Sequence, residues 1–249
     1  MRAGARSAAQ LALLDEPAAG RSAWRVRASD RARRLTVRIV PGGGVEIVVP
    51  RGTRPRTVEQ FVARYRQWIE RKVAQYRPLA PVAGDEVPRI VHFRASGDCW
   101  TVEQVDAACA MHVAVDGDRL RLVGDRSSAP PALQVLQRFT TEYAHAILVP
   151  NLHELSAEHR LPFASARIRR QRTRWGSCSH RGNISLNACL LFQPPEIVRY
   201  LLLHELAHTR HMNHSRRFWG LVEQLEPRWR ELDAVLSHGW REVPSWALR

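Results

Sequence analysis

Apolar residues recur at every second position in two runs near the N-terminus. Leu35, Val37 and Ile39 are separated by Thr36 and Arg38, and Val45, Ile47 and Val49 by Glu46 and Val48. A period of two predicts strands, and Pro41-Gly42-Gly43-Gly44 between the runs predicts the turn of a hairpin. Order is expected to begin near Trp24. Residues 1–23 mix Ala, Gly, Arg and Ser with one short apolar cluster and predict a loose arm.

Past Pro50 and Gly52 the period lengthens. Val58, Phe61, Val62, Tyr65, Trp68, Ile69 and Val73 recur at three and four, which predicts an amphipathic helix with Thr57 as its N-cap and its aromatic residues in the core, with a stacking platform as the alternative. Pro78, Pro81, Gly84 and Pro88 mark a connector. Short strands are then expected over Arg89–Phe93, Cys99–Val105, Cys109–Val115 and Arg119–Val123, with turns at Gly97 and Asp116-Gly117-Asp118.

After Pro130-Pro131 the helical period returns in Leu133, Leu136, Phe139, Tyr143 and Ile147, with Pro150 expected to end that helix. A strand is predicted over Gly182–Asn187, with Ile184 and Leu186 on one face. Following Gln193-Pro194-Pro195, the run from Glu196 to Arg210 has no internal Gly or Pro and contains Ile197, Val198, Leu201, Leu202 and Leu203, a core helix. The last apolar face, from Phe218 to Leu236, is helical and is kinked or divided at Pro227, with Ser215 as its cap. The organisation predicted is α+β: an arm over residues 1–23, a β-rich region with one helix over 24–128, and a helical region over 129–249 that packs with its predecessor as one unit.

Composition narrows the class. An apolar fraction of 45% with 25% charged residues is that of a globular chain, which excludes wholesale disorder. No run approaches the roughly 18 apolar residues of a membrane span, and no leader is evident, so a cytoplasmic protein without a membrane partner is expected. Cys99, Cys109, Cys178 and Cys189 form no CxxC pair, which excludes a Cys-rich zinc ribbon and predicts free, mostly buried thiols.

The formal charge is +14, and among the 38 basic residues only Lys72 is a lysine. Six arginines and no acid lie between Arg167 and Arg181, a candidate patch for a polyanion or nucleic acid, with a solvated basic surface as the alternative.

The chemistry concentrates in His204-Glu205-Leu206-Ala207-His208. Helical residues four apart share a face, so His204 and His208 can converge on one cation while Glu205 stands beside them. Neutral imidazoles hold a metal without cancelling its charge, the metal acidifies a water, and a neighbouring carboxylate takes the proton. His214, six residues on, is expected as the third ligand if the chain turns back near Met212-Asn213, and His211 is the competitor. The Leu201-Leu202-Leu203 flank strengthens this reading, because unpaired imidazoles and a carboxylate are costly in a core helix. Arg174 is read as holding a substrate carboxylate, a phosphate or a developing oxyanion, and Trp175 either supports it or packs the strand against the helix. Glu223 and Glu226 either reach the histidines or lie on the surface.

Arg174-Trp175-Gly176-Ser177-Cys178-Ser179, Gly182-Asn183-Ile184-Ser185-Leu186-Asn187, Pro194-Pro195, Tyr200, the His204–His208 pentapeptide, His214-Ser215 and Phe218-Trp219 occur together. In these residues the chain resembles the zincin-like, YgjP-like family of metal-dependent hydrolases, over roughly residues 24–240 and most strongly over 167–230. The resemblance implies a zincin-like helical metallopeptidase core with a short edge strand beside the cleft. It also implies zinc held by His204, His208 and His214, with Glu205 catalytic. A known metalloprotease pattern with the same histidine spacing has glycine where this chain has His211, which argues against that protease class.

The activity expected is zinc-dependent hydrolysis, of peptide bonds first, with a peptide or protein as substrate and partner. Two alternatives stand. One is a nucleoside triphosphate pyrophosphohydrolase, disfavoured by the lack of an acidic Mg²⁺ cluster. The other is a nucleic-acid-associated module or DNA-dependent protease.

Overall fold

The computed structural model describes residues 24–40, 44–76, 87–125, 127 and 131–248. The 1–23 arm, the hairpin turn at 41–43 and most of the Pro-rich connector lie outside them. The chain divides between Leu79 and Ala80 into two compact units.

Among the described residues the first unit is a three-stranded sheet backed by one helix. Strands β2 (Thr36–Val40) and β3 (Gly44–Pro50) pair antiparallel as the alternation predicts, and β1 (Trp24–Ser29) adds to β3 in parallel, giving the order β1-β3-β2. Val45, Ile47, Val49 and Ile39 bury against Val58, Val62 and Ile69 of helix α1 (Pro55–Tyr76). Two expectations fail here. Helix α1 begins at Pro55, so Thr57 lies inside it rather than capping it. The Arg54 carbonyl accepts from the N–H groups of Thr57 and Val58, and proline suits the first helical position because the N–H it lacks would have no helical acceptor. Tyr65 and Trp68 are also not core residues, being 39% and 42% exposed. The apolar arc of α1 is wider than a three-stranded sheet can cover, and the aliphatic half takes the inside.

Among the described residues the second unit carries two sheets and four α-helices. Strands β4 (Ile90–Phe93), β5 (Asp98–Val105), β6 (His112–Asp116) and β7 (Arg119–Val123) form a sheet in the order β4-β5-β7-β6, with Gly117 at φ 57 in the tight β6–β7 turn. β6 starts at His112, three residues later than its apolar pattern suggests. Phe93 and Trp100 of this sheet pack edge-on, and Tyr143 of helix α2 (Ala132–His159) joins their cluster.

Helix α2 runs through Pro150 instead of ending there. A mid-helix proline costs about 3 kcal/mol. Leu148, Leu152 and Leu155 continue the buried stripe on either side of it, and burial at roughly 1.5–3 kcal/mol per leucine outweighs the break. The helix ends instead at Arg160, which adopts a left-handed conformation while the N–H of Leu161 reaches back to the Ser156 carbonyl.

Three short strands follow: β8 (Ser165–Arg169), β9 (Gly176–Cys178) and β10 (Asn183–Asn187), in the order β8-β10-β9. β10 is therefore the centre of its sheet, parallel to β8 and antiparallel to β9. It cannot take a substrate strand, because both of its edges are already paired; the short edge strand is β9. A buried 3-10 turn over Ala188–Phe192 leads to helix α3 (Pro195–Ala207), and helices α4 (Arg216–Leu225) and α5 (Trp229–His238) pack on α3, divided at Pro227. Ser215 stands at the start of α4, but its side chain makes no capping bond. The architecture is α+β and zincin-like. All four cysteines are free, with Cys99 and Cys109 exposed, contrary to the expectation of mostly buried thiols. Among the described residues no helix is long and apolar enough to cross a membrane.

Candidate metal centre

Helix α3 enters the core through Ile197, Val198, Leu201, Leu202 and Leu203, all buried, and this burial sets its rotation. With that face committed to the core, His204 and His208 share a face at the C-terminal end of the helix, and Glu205 is buried beside them. Beyond Ala207 the chain tightens. The Ala207 carbonyl accepts from Arg210 and His211, and the N–H of Ser215 closes on the Asn213 carbonyl. The turn-back brings His214 Nε2 to 3.2 Å from His204 Nε2.

The result is a cluster of His204, His208 and His214 in which one nitrogen from each ring lies within 4.8 Å of the others, able to hold a metal ion. His211 does not join it with its ring. Its carbonyl lies 3.0 Å from His208 Nδ1, which assigns the proton to Nδ1 and leaves Nε2 free to ligate. Burial, and then the neighbouring His208 and His214, push the His204 imidazole down to about 3; burial likewise lowers His208. These rings are therefore neutral at physiological pH, the form that binds metals.

Aromatic rings pack against the histidines. Phe218, fully buried, stacks on His208 at 4.4 Å between centroids, and Trp219 lies 5.4 Å from His214 with the planes at 23°. Trp219 is in turn stacked on Trp229 at 4.2 Å, and the Arg230 guanidinium sits 4.5 Å over Trp229. Thus α4 places one ring against each of two histidines that approach from different segments. Tyr200, one turn before His204, donates to Asp233 of α5 at 2.8 Å; burial and the Asp233 charge raise its pKa, so it remains a donor.

Glu205 is pressed against β9. A Cβ at Gly176 would lie 2.5 Å from Glu205 Oε1, so only glycine leaves room for the carboxylate there. Burial pushes its pKa up to about 8, opposed by the positive charge of Arg174, and its Oε2 has no hydrogen-bond partner among the described residues. A cation held by the three imidazoles would give this buried carboxylate the opposite charge it otherwise lacks, so the residues present fit a metal. Cys178, on the same side of β9, is raised to about 11 by burial and then by Glu205, which keeps it a thiol and rules against a nucleophile.

The arginines of 167–181 divide between two surroundings. Arg167, Arg169 and Arg174 line a cavity of about 400 Å³ together with Ser177, Asn183 and Ser185. Ser177, Ser185 and Arg167 are register neighbours on the sheet face opposite to Gly176 and Leu186, hence turned away from Glu205. Arg170 is diverted to Gln137 Oε1 and the Ala247 carbonyl. Arg174 is exposed, and its carbonyl accepts from Asn187 Nδ2 at 2.8 Å. Trp175 packs, stacked on Trp240 at 3.9 Å. Glu223 pairs with Arg230, and Glu226 accepts from the Arg228 N–H, so neither contacts the histidines.

Asn187 is a residue whose part the pattern of the sequence did not disclose. Fully buried, it donates to the Gln171 and Arg174 carbonyls and accepts from the Cys189 N–H, which ties down the loop that leads into β9. Asp233, the partner of Tyr200, is another. A buried Asn directly after an apolar strand is the one available signal for the first.

An α+β fold with three histidines gathered beside a buried glutamate at the end of a core helix defines a metal-dependent hydrolase fold of the zincin type. Residues 33–239 match the sequence profile of the family described as YgjP-like, metallopeptidase domain, and the chain belongs to that family. No curated protein matches it. Among solved structures it is similar to the metallopeptidase zymogen of Pyrococcus abyssi abylysin, with 27% identity over 36% of this chain and 90% of the other at a TM-score of 0.33. It is also similar to the metallopeptidase zymogen of Methanocaldococcus jannaschii jannalysin, with 18% identity over 36% of this chain and 92% of the other, again at 0.33.

Proposed function

We propose that the protein is a zinc-dependent metallopeptidase in which His204, His208 and His214 hold the metal and Glu205 is the general base. The observation that carries this reading is the gathering of three imidazoles, two of them held neutral by burial, beside a carboxylate whose burial raises it to about 8. Three imidazole ligands suit zinc and leave a coordination position open, and zinc bound there would supply Lewis acidity to water and to a substrate carbonyl.

The remaining steps belong to the chain. Glu205 takes a proton from the attacking water and returns it to the leaving amine; burial disfavours its charge and a bound cation would favour it, which suits it to both transfers. Arg174, exposed and close enough to lower the Glu205 pKa, holds a substrate carboxylate or the developing oxyanion. β9, three residues long and paired on one side only, offers its free edge to an extended peptide.

The test compares wild type with Glu205→Gln on peptides, proteins and nucleoside triphosphates after zinc loading. Peptide hydrolysis reduced by about 10²–10⁴-fold in the variant, with zinc content unchanged, is the expected result. Hydrolysis of triphosphates alone would replace the peptidase reading with its phosphoanhydride competitor.

A further inference from the structure

Helix α1 sorts its apolar residues by chemistry. The positions that meet the sheet are aliphatic: Val58, Val62 and Ile69, all buried. The neighbouring flank is aromatic. Phe61 is half-buried, with its ring 4.8 Å from that of Tyr65, and Tyr65 and Trp68 are 39% and 42% exposed. The three described strands leave these rings uncovered, so they face solvent.

The charge around this flank is one-sided. Between Trp24 and Tyr76 the sequence has thirteen basic residues and four acidic ones. Three of those acids are already paired: Asp30 with Arg51, Glu46 with Arg27 and Glu70 with Arg66. Arg64 and Arg71 are exposed on the solvent side of the aromatic flank, and the Arg64 guanidinium lies 5.6 Å from the Tyr65 ring centroid.

We propose that this flank of α1 is a binding surface for single-stranded nucleic acid, with Tyr65 and Trp68 stacking on bases and Arg64 and Arg71 meeting phosphates. Flat rings bordered by guanidinium groups on a strongly basic module match a strand that offers π-faces and negative charge in alternation. A membrane surface fits less well, because among the described residues the flank exposes two aromatic residues and no large aliphatic side chain to insert. An apolar protein partner would leave the surplus of positive charge unanswered. The surface belongs to the first unit and shares no residue with the metal centre, so it stands whether or not the peptidase reading does.

Fluorescence anisotropy of a labelled oligothymidylate, titrated with the full-length protein at several salt concentrations, tests this. Binding that weakens with salt is expected, with Trp68→Ala lowering affinity on the order of tenfold, Trp68→Phe retaining most of it, and the Arg64→Ala/Arg71→Ala pair flattening the salt dependence. Trp68 is exposed, so the folded state should survive its loss; circular dichroism verifies that. Glu205→Gln should bind as wild type does. Three results would overturn the proposal: no binding at low salt, binding indifferent to Trp68, or a Trp68-dependent self-association or adhesion to anionic vesicles in its place.

Discussion

The imidazole of His214 lies against the indole of Trp219, centroids 5.4 Å apart and planes 23° from parallel. His204 and His208 are set by helix α3, but His214 sits in an exposed turn with no helix to orient it. Trp219, itself backed by Trp229, supplies that orientation. Trp219→Ala should therefore weaken zinc affinity by about 10–100-fold, and Trp219→Phe by less, measured by competition with a chromophoric chelator. An alanine variant with wild-type affinity would leave the stack a packing feature only.

His211 and His214 should separate cleanly. Because His211 offers its carbonyl to His208 and keeps its ring out of the cluster, His211→Ala preserves the contact that matters. His214→Ala removes a ligand. Metal content after purification should stay near one equivalent in the first variant and fall sharply in the second; the reverse order would overturn the ligand assignment.

Gly176 makes room for Glu205. Its backbone is not in the left-handed region, so alanine is conformationally allowed there, and the obstacle is the carboxylate at 2.5 Å. Gly176→Ala should displace Glu205 and reduce hydrolysis at least tenfold while zinc remains bound. Thermal melts of Gly176→Ala, Glu205→Ala and the double variant should show a coupling of about 1–3 kcal/mol. Strict additivity would mean that the two groups do not compete for space.

The metal-free protein should carry a pH signature of Glu205. Its folded pKa of about 8 lies above its ordinary 4.5, because burial disfavours the charge. The folded state thus keeps a proton that the unfolded chain releases, and the stabilisation is complete below about pH 4.5 and lost as pH rises through about 8. His204, pushed down from 6.5 to about 3, acts with the opposite sign: its contribution is present above pH 6.5 and lost as pH falls toward 3. Urea unfolding in chelator should show Glu205→Gln gaining on wild type steadily between pH 4.5 and 8. A difference that does not change with pH would contradict the burial of this carboxyl.

Local rules read well wherever they met no tertiary competitor. The alternation in β2 and β3, the strands β4, β5 and β7, the Pro195 start of α3 and the division at Pro227 follow from period and from proline chemistry. They misled where packing overrode them. Pro150 lies inside α2 because leucines on both sides are buried. β10 became a central strand because β8, from the far side of a loop, pairs with it in parallel. Tyr65 and Trp68 stayed outside because the three strands described beneath α1 do not cover them.

The sequence by itself determined the donor set: two histidines four apart with a glutamate between them, on a helix whose leucines demand burial, and a third histidine six residues on. Helical spacing is a local property, so it is written in one dimension. Only the tertiary structure decided which nitrogen of His208 is free, that His211 serves by its carbonyl, that Gly176 leaves room for Glu205, and that Phe218 and Trp219 stack on two of the histidines. Each of these depends on contacts between segments that meet only when α3, α4 and β9 pack around one core, and that packing sets the burial which keeps His204 and His208 neutral and raises the carboxylate.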